Sequence, residues 1–249
     1  MDALIKEIDF NFESFFNETE TNINNTLINY DTQKEDFRFS YRRLVSYQAW
    51  ICEVIEKNAC EESLLFFKEA QNDVIMSHAL ARQGAWRVSL MSLRSCVENT
   101  IFGLYYLQHP VELQLWVKGK HKLGFTETIN YLSNHPNFEG VDSSISGIEA
   151  VKKEYATLSK AVHGSSKLFR MTKTGKIEGL NIVSPPDFGG WVTREAAVLN
   201  ALNLTFLCFY KDDLTGMANL NLRKTISLAI NKNNFPKIKE KLKVNLNKK

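Results

Sequence analysis

The segment "EYATLSKAVHGSS", residues 154–166, closes a helical pattern with Ser159, Lys160 and His163. Side chains three and four apart on a helix are neighbours, so His163 lies beside a lysine and a hydroxyl. Upstream, "SLRSCVENTIFGLYYL" sets Arg94 and Glu98 four apart, with Arg87 on the same line. If the two helices pack antiparallel, these polar lines meet in one groove. A histidine among cations is suited to cutting an RNA backbone without metal. The imidazole moves a proton to or from the 2′-hydroxyl or the leaving oxygen, and the cations stabilise charge building on the phosphate. The plainer reading has His163 bonding the last carbonyls of its helix, where the dipole favours a cation. In the same reading Arg94 and Glu98 form only an ion pair, and Lys152, Lys153 and Lys160 a solvated face.

The elements that must position these residues are helical. Leu4, Ile8, Phe12, Phe15, Phe16, Ile23 and Leu27 mark an apolar face over residues 1–30. A second helix, 36–58, runs through Tyr41, Leu44, Val45, Trp50, Val54 and Ile55, and a third runs from Glu61 towards Gln83. The strongest stripe is Trp86, Leu90, Leu93, Val97, Ile101 and Leu104, stopped at His109-Pro110. Short helices are expected at 111–118 and 125–133. A long one fills 145–163, with Ile148, Val151, Tyr155, Leu158 and Val162 as its apolar face and Gly164 as its left-handed stop. Two β-like runs around Lys173-Thr174-Gly175 predict a hairpin, and "SPPDFGG" predicts a turn. Thr193 is expected to cap a last core helix ending at Lys211, followed by one at 214–230.

The expected fold is all-α: a helical bundle with one small β-hairpin before the last core helix. It divides into a helical N-terminal extension (1–60), a bundle (61–230) and a basic C-terminal tail (231–249). The tail holds seven lysines and one glutamate within a chain of net charge +3, so the body carries −3. It reads as a solvated tail, with a basic amphipathic helix on Ile238, Leu242 and Leu246 as the alternative. Cys52, Cys60, Cys96 and Cys208 form no C-x-x-C pair, so neither zinc nor a disulfide framework is implied. No signal peptide or membrane span is read, and a cytoplasmic location follows as the expectation. His78, His109, His121 and His135 show no ligand spacing. No phosphate-binding loop, dinucleotide fingerprint or nucleophile elbow occurs, and no cofactor is implied.

"YATLSKAVHGSS" after "SLRSCVENTIFGLYYL" resembles the HEPN superfamily of helical bundles over roughly residues 60–215. Many HEPN proteins are metal-independent ribonucleases of toxin–antitoxin, abortive-infection and CRISPR systems, and others are inert adaptors. The resemblance implies a defence or toxin endoribonuclease, a homodimer with one histidine from each copy, and a possible protein partner. The family histidine falls on His163. The family arginine, four to six residues earlier, would fall among Ala156, Thr157 and Leu158, and none of these is an arginine. Arg94 then supplies the charge from the neighbouring helix. The resulting catalytic set is His163 as acid and base, Arg94 and Lys160 on the phosphate, and Glu98 orienting Arg94. The missing arginine favours the alternative, a non-catalytic interaction subunit of a defence complex. A third reading, a nucleic-acid-binding regulator, rests on the basic tail alone.

Overall fold

A computed structural model describes residues 3–170, 183–214 and 220–246. α1 (Ala3–Asn29) passes through a 3-10 turn into α2 (Lys34–Trp50), which continues through a π turn, Ile51–Ile55, into α3 (Glu56–Asn58). α4 (Glu61–Arg82) and α5 (Trp86–Tyr106) form a hairpin, turned at Gly84 with φ +74°. Then come α6 (Pro110–Val117), α7 (Phe125–Ser133), α8 (Ser143–Ser146), α9 (Ile148–His163), α10 (Pro185–Phe209), α11 (Leu220–Ala229) and α12 (Phe235–Leu242). The described residues form a helical bundle and contain no strand. The hairpin expected around Lys173–Gly175 lies outside them. Among them no helix is long and apolar enough to cross a membrane.

α10 is the central helix. Residues 201–209 are all buried, as expected of a helix enclosed on every side. It packs against α2, α5, α8, α9 and α11. α2 and the π turn after it offer a stripe at three-and-four spacing: Phe37, Ser40, Leu44, Tyr47, Ile51 and Val54, all buried. Tyr41, assigned to that face by the sequence, points outward at 62% exposure. Between α2 and α10, Trp50 Nε1 donates to Asn203 Oδ1 at 2.9 Å, and Asn203 Nδ2 donates to Ser46 Oγ at 3.0 Å. Leu90, Leu93, Val97, Ile101 and Leu104 of α5 are buried as their spacing requires.

Three expectations change. The helix expected over 145–163 breaks at Gly147 (φ +78°), which ends α8 and starts α9. One glycine inside a helical pattern gives no local sign that a left-handed residue is needed. "SPPDFGG" is not a turn but the start of α10. Ser184 caps it by accepting from the Asp187 amide, Pro185 occupies the first turn, and Thr193 lies inside the helix. The segment read as a solvated tail is docked over its described residues: Phe235, Ile238, Leu242, Val244 and Leu246 are buried, while Lys232, Lys237, Lys239, Lys241 and Lys243 face out. Lys237 reaches Ser144 Oγ at 3.2 Å and Asp142 at 3.7 Å.

Candidate functional site

α5 and α9 run antiparallel, and their polar lines meet. Arg94 Nε donates to Ser159 Oγ at 3.2 Å, and Arg94 Nη2 donates to Tyr155 Oη at 2.7 Å and pairs with Glu98 Oε1 at 2.8 Å. Tyr155 donates in turn to Glu98 Oε1 at 2.9 Å. Burial is the main cause holding the Tyr155 phenol above its ordinary pKa, consistent with a protonated donor. Phe125 of α7 stacks on the Tyr155 ring, with centroids 3.5 Å apart. The Arg94 and Glu98 side chains are 21% and 24% exposed. The guanidinium is thus fixed through Nε and Nη2, while Nη1 has no hydrogen bond to a described residue.

Arg87, one end of the same line, braces the end of α9. Its Nε and Nη2 donate to the carbonyls of Ala161 and Val162, each at 3.0 Å. These are two of the last carbonyls of α9. Gly164 follows in the left-handed conformation, and Arg170 Nε donates to its carbonyl at 3.1 Å. His163 is exposed and has no hydrogen bond to a described residue. Lys160 and Lys167 are exposed nearby along the chain. The end of α9 therefore carries an exposed imidazole, with Arg87 and Arg170 bonded to carbonyls of the same helix end and Lys160 and Lys167 three and four residues away along the chain.

The structure brings together Arg94 and Glu98 of the expected set. No hydrogen bond or ion pair among the described residues joins His163 or Lys160 to them. His163 stands one turn, about 6 Å along the axis, beyond Ser159. Tyr155 corrects an expectation: assigned to the apolar face, it places its hydroxyl at the centre of the polar cluster. Its signal was the four-residue spacing Tyr155, Ser159, His163. Lys152 is held by Glu149 at 2.8 Å.

A second polar cluster had no sequence signal. Ser40 Oγ lies 2.9 Å from His78 Nδ1 and 3.1 Å from Glu195 Oε1. Arg43 binds Glu195 Oε2 through Nη2 and, at 2.8 Å, through Nε. The serine has one proton, so donation to Glu195 leaves it accepting from a His78 Nδ1–H. Ser40 and Glu195 are fully buried, which excludes direct access by a substrate. Burial first, and then Arg43, hold the His78 imidazole below its ordinary pKa of 6.5. A histidine neutral in the fold loses ground when the unfolded chain can take the proton. Its stabilising contribution is full above pH 6.5 and is lost as pH falls towards the lowered folded value. Urea unfolding at stepped pH is expected to show this loss and His78→Gln to reduce it; equal pH slopes for the two proteins would refute it.

No protein-family model matches the chain, and no curated protein or solved structure matches it.

Proposed function

We propose that the chain is a HEPN-like, metal-independent endoribonuclease. Its place in a prokaryotic defence or toxin–antitoxin system comes from the resemblance alone. The observation that carries the chemistry is the exposed His163 at the end of α9, a helix end to whose carbonyls Arg87 and Arg170 donate. His163 acts as general base on the 2′-hydroxyl and general acid to the leaving oxygen. Arg94 presents its unbonded Nη1 to the phosphate, and Lys160 adds a mobile charge. Glu98 and Tyr155 hold Arg94 in position.

Incubation with a mixed RNA pool in EDTA tests this. Cleavage leaving 2′,3′-cyclic phosphate ends is expected, and His163→Ala should slow it by about 100-fold or more. The variant should melt as the wild type does, because the side chain is exposed. Equal cleavage by His163→Ala would refute the assignment.

A non-catalytic interaction subunit is the second reading, and a specific observation favours it. Met91 lies between Arg87 and Arg94 on the same line and is 40% exposed, and Leu168 beyond His163 is 68% exposed. This mixed apolar and basic surface suits a protein partner. Absence of cleavage by folded protein would favour this reading.

A further inference from the structure

α1 is 27 residues long and makes its principal contacts only with the turn that follows it. Leu4, Ile5, Ile8, Phe12, Phe15 and Phe16 fall on one stripe, at the three-and-four spacing of a helix–helix seam. They are 45% to 64% exposed. In water such a stripe, about four turns long, calls for a cover. Phe15, Phe16, Thr19, Glu20, Ile23 and Asn24 line a groove along the same helix.

We propose that α1 pairs antiparallel with α1 of a second copy of this chain. The stripe is self-complementary in that direction. Its first half is aliphatic and its second half aromatic, so a two-fold near Phe10 sets Leu4 opposite the second copy's Phe16, Ile5 opposite its Phe15 and Ile8 opposite its Phe12. Small then meets large at every level, as close packing requires, and the contact closes on itself. With roughly 100 to 150 Å² of exposed surface on each phenylalanine, the stripe offers on the order of 700 Å² per copy, near the 800 Å² per partner of a stable interface. Charge argues against an anionic cover. α1 carries Lys6 against Glu7, Asp9, Glu13, Glu18 and Glu20, which repels anionic lipid and nucleic acid alike. Antiparallel pairing also leaves the two bundles at opposite ends, about 60 Å apart.

The pairing does not depend on the nuclease reading, and its test needs no activity. Sedimentation equilibrium of the full chain at micromolar concentration is expected to give a dimer. Phe12→Asp/Phe15→Asp should give a monomer with an unchanged melting temperature, because both side chains are exposed in the single chain. Small-angle scattering of the dimer should show two separated lobes. A monomeric wild type, a dimer that survives the double substitution, or a compact single-lobed dimer would each overturn the proposal.

Discussion

Alanine at Gly147 is expected to destabilise the protein by about 3 kcal/mol or more. Two costs add there. The backbone sits at φ +78°, where a Cβ meets its own carbonyl, at about 1–2 kcal/mol. The new methyl would also lie 2.3 Å from the Ala201 carbonyl oxygen and 2.9 Å from the Thr205 nitrogen. Both belong to the backbone of α10, which cannot move without disturbing the centre of the bundle. Gly119→Ala is the control. It has φ +67° with nothing within 4 Å of the added atom, so only the first cost applies. Urea unfolding should therefore separate the two variants by about 2 kcal/mol. Equal midpoints would show that the approach of α8 and α9 to α10 is looser than described.

Removing Arg43 should have an effect of similar size. Its guanidinium is the cation paired with Glu195, whose side chain is wholly enclosed while that of Arg43 is 13% exposed. Arg43→Ala leaves a carboxylate in the core with only Ser40 as a hydrogen-bond donor. Breaking one side of a buried pair costs about 3–5 kcal/mol, a large part of a domain's stability. Replacing both, as in Arg43→Met/Glu195→Leu, should recover most of that loss, because no desolvated charge is left. A small effect of the single substitution, with no recovery in the double, would mean that water reaches Glu195. Burial already pushes the Glu195 carboxyl up, against the pull of Arg43.

What the sequence disclosed was mostly local. The α5 stripe, the stop at His109-Pro110 and the four-residue step from Arg94 to Glu98 are consequences of helical spacing. The antiparallel meeting of α5 with α9 placed Arg94 against Ser159, as those spacings suggested. Contacts between distant segments were not legible. Ser40, His78 and Glu195 are separated by 38 and 155 positions in their pairings with Ser40, so no short pattern contains them. Tyr155 was ambiguous because an aromatic ring fits an apolar face while its hydroxyl can serve a polar one. Ile238, Leu242 and Leu246 were visible at helical spacing, but a short basic helix reads as solvated until something packs against its other side. Gly147 and the Ser184 cap were visible as residues, but their roles are set by α10 and by the proline pair.

The Trp50–Asn203–Ser46 linkage between α2 and α10 has a bearing on uniqueness. Two apolar helices offer many nearly equivalent alignments, and burial alone discriminates poorly among them. A slide of one turn, about 5.4 Å, would keep most of the greasy area covered but strand an amide and an indole N–H without partners. The polar trio therefore acts as an index mark along the two rods, penalising each shifted alignment while adding little net cohesion to the right one. α10 packs in turn against both α5 and α9, the helices that carry Arg94 and His163.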